Sequence, residues 1–271
     1  MRNARYTTLC FAILSASLWA GVDDDWKELY GQAVHEAALK DYAKAELTYA
    51  KALSKAEVFG KEDPRVASTL QGLATMLREA KKLTEAEDAS KRAVAVYAVN
   101  PGEDSQEYGE VLSLLGSVYQ AEGKYQPALQ TLQKAVPLLQ SKLGPDSAGV
   151  IDSICMEGDT YRLLKMFASA EPALKRCADL RLDNGGPATP EFGDAANSLA
   201  IVYQHLGKYK EADKNFKLAA AIREKSLGIQ SPELAETLEA YAQLLHRLGQ
   251  DEDAKKKERM AAAIRAHLGK K

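Results

Sequence analysis

Cysteine is scarce in this 271-residue chain: three in all, and only Cys155 and Cys177 beyond the first twenty positions. A small disulfide-stapled scaffold needs more cysteines in a shorter chain, so stability has to come from packing. The two lie on different predicted faces, and no bridge between them is expected. No long basic block is present and the formal net charge is -2, so nucleic acid is not the default partner. The glycines fall at predicted helix ends, which leaves no glycine-rich phosphate loop. Only four histidines exist for acid–base or metal chemistry: His35, His205, His246 and His267. Aromatic residues make up only 7% while alanine is abundant, a helical composition with small residues for close helix contacts.

What is present suits a folded chain. Hydrophobic residues account for 46% and charged residues for 27%, which argues against disorder. The first twenty residues stand apart. Arg2 and Arg5 precede an apolar run from Leu9 to Ala20, and Asp23-Asp24-Asp25 follow. That layout predicts a secretory signal peptide over 1–20, cleaved after Ala20, although Leu18 is larger than usual three residues before the cut. The apolar run is too short for a comfortable membrane span. Cys10 follows Thr8-Leu9, without the small residue that precedes a lipidated cysteine. The expected mature protein is therefore secreted or periplasmic, with no membrane span.

The strongest signal beyond that segment is internal repetition. From Pro64, steps of 42 residues reach Gln106, Ala148, Pro190 and Pro232. Three series of small residues keep the same register: Ala33, Ala74, Gly116, Gly158, Ala200, Ala242; Ala45, Ala86, Ala128, Ala170, Ala212, Ala254; and Ala52, Ala93, Ala135, Cys177, Ala219, Ala261. Small residues allow two helix axes to approach within about 8–10 Å. Larger apolar residues lie between them at helical spacing, as in Leu112, Leu115 and Tyr119, then Leu129, Leu132 and Val136. Asp63, Ser105, Ser147, Thr189 and Ser231 stand where each first helix would begin, and all five are good N-caps. Proline follows three of them, at the first helical position, where a missing N–H costs nothing. Gly123, Gly207 and Gly249 mark the turns inside the repeats.

Asn197-Ser198-Leu199-Ala200-Ile201-Val202-Tyr203, followed by Leu206-Gly207-Lys208-Tyr209-Lys210-Glu211-Ala212, resembles a tetratricopeptide repeat. The 42-residue period, with Leu143-Gly144 and Leu227-Gly228 near the ends of second helices, is similar to the kinesin-light-chain variety. The long N-terminal heptad segment of a kinesin light chain is missing. The resemblance implies an all-α fold, an α-solenoid wound as a right-handed superhelix of about six helix-turn-helix repeats. Their approximate limits are 23–62, 63–104, 105–146, 147–188, 189–230 and 231–271, within a domain 21–271. The first repeat is degenerate, with Gln32 and Glu36 at usually apolar positions. Pro137 should delete one backbone bond and kink the second helix of the third repeat, whereas Pro172 lies nearer a helix start.

Stacked repeats bury a continuous core and leave a groove lined by the first helices. The resemblance implies that this groove holds a peptide or partner protein. The register places three rows there. The first is Lys27, Ser68, Glu110, Asp152, Asp194, Glu236; the second Tyr30, Gln71, Ser113, Cys155, Asn197, Glu239; the third Val34, Thr75, Ser117, Asp159, Ile201, Gln243, with Gln204 beside it. Four successive acids in the first row either favour a cationic ligand or form a solvated face close to helix N-termini. Asn197 stands where an Asn in such repeats often hydrogen-bonds a bound peptide's backbone. The Lys/Asn clamp that the family uses for a terminal carboxylate is missing.

The expected function is therefore a non-enzymatic interaction scaffold, without cofactor. A second reading is a structural subunit that self-associates through the last helix near Met260, Ile264 and Leu268. A third is a hydrolase or metal protein built on His205 and His246 with Asp194 or Glu239, for which the ligand spacing is poor. Cys155 has no activating base in sight, so a nucleophile role is weak.

Overall fold

The computed structural model describes residues 3–269, with side chains over 21–269. The side chains of the expected signal segment, 1–20, thus lie outside the described residues. The chain divides into two compact units, Met1–Leu138 and Leu139–Lys271. Every described element is helical, as a repeat of period 3.6 demands. No described helix is long and apolar enough to cross a membrane.

The first unit contains α1 (Asn3–Ala38), α2 (Tyr42–Ala56), α3 (Pro64–Glu79), α4 (Leu83–Tyr97), α5 (Gln106–Ala121) and the larger part of α6 (Tyr125–Leu143). The second contains the end of α6, then α7 (Ala148–Leu163), α8 (Phe167–Gly185), α9 (Pro190–His205), α10 (Tyr209–Leu227), α11 (Pro232–Arg247) and α12 (Asp251–Leu268). The series Pro64, Gln106, Ala148, Pro190 and Pro232 is the series of first helical residues. The fold is an all-α helical-repeat solenoid. Pro137 lies inside α6, which continues past it to Leu143.

Four of the five expected caps close their helices. Asp63, Ser105, Thr189 and Ser231 accept from backbone N–H groups of the first turn. Ser147 does not; its hydroxyl is buried without a partner among the described residues.

The alanines of all three small-residue series are buried to nearly zero exposure. The two glycines in the first series show why. A Cβ on Gly116 would stand 2.7 Å from Cγ of Leu132, and one on Gly158 would stand 2.9 Å from the Leu174 side chain. In these two repeats the hairpin closes at such a point, with a leucine of the second helix filling the space left by the first.

The first repeat departs from this plan by using polar groups. Glu36 is buried, yet it accepts from Gln32 Nε2 at 2.7 Å and Thr48 Oγ1 at 2.6 Å, and pairs with Lys44 Nζ at 3.1 Å. Donation from Thr48, aided by Gln32 and Lys44, holds its carboxyl down at about 2 against burial. The lowered value makes this network stabilising above the ordinary carboxylate range. The stabilisation is lost as pH falls through about 2. A sequence position that usually holds an apolar residue is thus satisfied by a closed polar network.

The turn between the two helices of each repeat needs a left-handed residue. Gly123, Gly207 and Gly249 supply it with φ of 77°, 74° and 71°. In register with them, Lys40, Lys81 and Lys165 take φ of 61°, 62° and 59° with a side chain attached. A Cβ in that conformation costs about 1–2 kcal/mol, partly offset by the greater freedom glycine has when unfolded. Lys81→Gly and Lys165→Gly are each expected to stabilise the protein by about 0.5–1 kcal/mol, seen as a higher urea midpoint. A lowered midpoint in both would contradict the strain argument.

Candidate binding face

The first-helix rows can be followed within each unit. In the second unit Asp152 and Asp194 of the acid row are partnered, and so is Glu239 of the second row. Asp152 on α7 pairs with Arg181 on α8, and Asp194 on α9 pairs with Arg223 on α10 at 2.6 Å. Glu239 on α11 takes both Nε and a terminal nitrogen of Arg265 on α12, at 3.1 and 3.2 Å. Glu236 is exposed nearby and adds to the field on Arg265. Arg181, Arg223 and Arg265 recur at the repeat spacing. They reduce the negative potential that Asp152, Asp194 and Glu239 would otherwise raise.

Arg223 is also structural. Its side chain is 6% exposed and donates to the Glu233 carbonyl and Thr237 Oγ1, both at 2.7 Å. It thus ties α10 to the next hairpin while holding Asp194. Arginine suits this task because its planar fork serves several acceptors at once.

The second row is uneven: Cys155 is half-buried, Asn197 buried and Glu239 exposed. Cys155 and Cys177 are joined in a disulfide across the α7–α8 hairpin, with Cα atoms 5.0 Å apart. This overturns the expectation of two unbridged cysteines. The physical reason is the register. A second-row residue leans toward the second helix, where it meets the small-residue series that Cys177 occupies. Asn197 obeys the same geometry: it is 8% exposed, and its buried Oδ1 has no partner among the described residues. Gln204, expected beside the groove, is buried as well.

The third row joins neighbouring first helices. Asp159 on α7 accepts from Arg162 Nε and from Ser198 Oγ of α9, each at 2.8 Å. In the first unit Arg78 on α3 donates to Ser117 Oγ on α5 at 2.7 Å. Asp159 is therefore a packing bridge between α7 and α9.

In the first unit the rows border a pocket of about 580 Å³. Glu110 and Glu107 enter from α5, Ser68, Gln71 and Glu79 from α3, and Tyr30 from α1. Two second-helix tyrosines complete it, Tyr49 from α2 and Tyr97 from α4, and sequence reasoning missed both. Glu110 accepts from Gln106 Nε2 at 2.7 Å. Ser113, next on the second row, is half-buried on α5.

The histidines do not converge. His205 stacks on Phe167, with ring centroids 4.1 Å apart, and burial lowers its pKa. His246 lies between Asp251 and Glu258, at 2.7 and 3.0 Å, and Asp251 chiefly raises its pKa. Among the described residues no group of three or more His, Cys, Asp or Glu side chains is placed to hold a metal ion.

Hairpins repeating in one register and presenting aligned first-helix rows define a helical-repeat protein of the interaction-scaffold class. The tetratricopeptide repeat profile matches residues 28–98, 74–141, 107–183 and 191–266, and the chain belongs to the tetratricopeptide repeat family. Among solved structures, the chain is similar to BtubC (BKLC) from P. vanneervenii, at 18% identity and TM-score 0.69, over 84% of this chain and 92% of that one. It is also similar to a putative kinesin light chain with TPR-like repeats from Podosopora anserina, at 20% identity and TM-score 0.62, over 76% and 97%. A third similar structure is YrrB, described as a TPR protein with an unusual peptide-binding site, at 20% identity and TM-score 0.52, over 79% and 92%. At these identities the likeness is one of fold. No curated protein matches the chain in sequence.

The bridge across α7 and α8 leads to a direct check. Peptide mapping without reductant is expected to recover the Cys155 and Cys177 peptides linked. Breaking the bridge should cost about 3 kcal/mol, the loop-closure value for a loop of this length, seen as a lower denaturant midpoint. Recovery of two free thiols from protein purified under oxidising conditions would refute the pairing.

Proposed function

We propose that this protein is an exported, non-enzymatic scaffold that holds an extended segment of a partner protein on its first-helix face. The observation that carries this reading is Asn197, an almost fully buried amide on α9 whose Oδ1 is left open in a family whose members bind protein or peptide partners. A buried acceptor without a partner is costly, so a backbone N–H from a bound segment would satisfy a need the folded chain leaves unmet. The described peptide-binding role of YrrB, a protein of similar fold, is consistent with it. Export is supported by the charged, apolar and acidic order of residues 1–25 and by the Cys155–Cys177 bridge, because such bonds persist in oxidising compartments.

Asn197→Ala is the cleaner test, because no described group depends on that oxygen. Asp194→Ala would unpair the buried Arg223 and confuse binding with stability. Quantitative affinity capture from the native envelope fraction should lose a partner with Asn197→Ala while the melting temperature stays within a few degrees. An identical partner list at unchanged stability would sink this reading.

A second reading rests on the last hairpin. Ala220, Leu234, Leu238, Met260 and Ile264 line an apolar pocket of about 310 Å³, and Met260 is 41% exposed. Self-association through this end would cover it. Light scattering across a concentration series should then show mass rising with concentration, reversed by Met260→Lys. A constant monomer mass would rule the reading out.

A further inference from the structure

The pocket in the first unit has a chemical bias that the rows alone do not suggest. Three carboxylates line it, Glu79, Glu107 and Glu110, and among the described residues no lysine, arginine or histidine does. The nearby Arg78 is turned to Ser117 on the neighbouring helix. Three tyrosines complete the wall. Tyr30 and Tyr49 meet edge to face, with ring centroids 6.2 Å apart. Tyr97 is fixed by a 3.0 Å hydrogen bond between its hydroxyl and Ser68 Oγ.

Tyr49 is the independent observation. It is 2% exposed and lines the pocket. It reaches that position because residue 72 is glycine. A Cβ there would stand 2.9 Å from the Tyr49 hydroxyl oxygen. Burial above all, then the fields of Tyr30 and Glu79, pushes its pKa up to about 12. A neutral hydroxyl surrounded by negative potential is an acceptor for a donor that carries positive charge.

We propose that this pocket receives the cationic side chain, an arginine guanidinium or lysine ammonium, of the partner segment held on the first-helix face. The tyrosine rings supply π faces, the Tyr49 oxygen accepts, and Glu107 and Glu110 neutralise the charge at the rim. The assignment rests on the scaffold reading above and names the kind of side chain that the first unit would take.

The test uses short capped peptides rather than the native partner. Acetyl-Gly-Arg-Gly-amide, its Lys, Gln and Glu counterparts, and free arginine are titrated into the full chain and followed by backbone amide NMR. The Arg and Lys peptides should shift the signals of Gln71, Gly72 and Thr75, more weakly as salt is added. The Gln and Glu peptides should leave those signals in place. Glu107→Gln with Glu110→Gln, both at the accessible rim, should weaken the Arg peptide about tenfold without altering the fold. Tyr49→Phe should weaken it at unchanged melting temperature.

Equal shifts from the Gln peptide would overturn the proposal, as would shifts mapping away from α3 and α5, or an affinity unmoved by the double glutamine variant. Free arginine binding as tightly as the peptide would overturn the peptide origin of the group. Failure here is distinguishable from failure of the scaffold reading. If Asn197→Ala loses a partner while the Arg peptide stays inert, the scaffold stands and the cationic subsite falls. An Arg peptide that binds beside an unaltered partner list gives the reverse.

Discussion

The close approach of two helices inside each repeat is the constraint on which the rest depends. It is set by positions that tolerate almost no side chain: alanines of near-zero exposure at most, and glycine at Gly116 and Gly158, where a leucine of the second helix fills the place of a Cβ. Once the hairpin closes there, the orientation of every other residue on both helices follows. Larger side chains on one flank meet the next hairpin, and those on the other line the first-helix face. Overpacking at the contact would force the two helices apart and disturb all of these at once.

Polar groups then trim the arrangement rather than create it. Lysines at the repeat turns reach carboxylates on the preceding second helix, as in Lys82–Glu46, Lys124–Glu87 and Lys208–Glu171. Largely exposed pairs of this kind contribute little individually. The buried contacts matter more. Glu36 replaces an apolar contact by a closed network, and Arg223 spans two hairpins while holding Asp194. The disulfide of α7 and α8 adds a covalent link at a position where the other repeats rely on packing.

The two units present different chemistry on the same kind of face. In the second, arginines recurring with the repeat answer the acids, and the open group is the buried Asn197 amide. In the first, the positions in register with those arginines include Tyr97, and the carboxylates of α3 and α5 face a pocket of tyrosines that no basic side chain lines among the described residues. Each unit would thus ask something different of a bound segment, a backbone donor in the second and a cationic side chain in the first. That is a pattern able to discriminate among partners by charge.

The periodicity of small residues, caps and prolines was enough to determine the helical hairpins, because each recurs where the backbone has one geometry to adopt. It also placed the first helices to the residue, since Pro64, Gln106, Ala148, Pro190 and Pro232 are their starts. The acid row was legible for the same reason. What covers that row was not. The recurrence of Arg181, Arg223 and Arg265 is visible in the sequence, but only the packed hairpin shows the first two reaching the row at Asp152 and Asp194 and the third reaching Glu239 of the neighbouring row. Likewise, Cys155 and Cys177 read as residues of different faces until the inclination of one helix on the other brought their Cα atoms to 5.0 Å. Helical period tells which residues share a face. The crossing of two helices decides which faces meet, and that depends on the volumes packed between them.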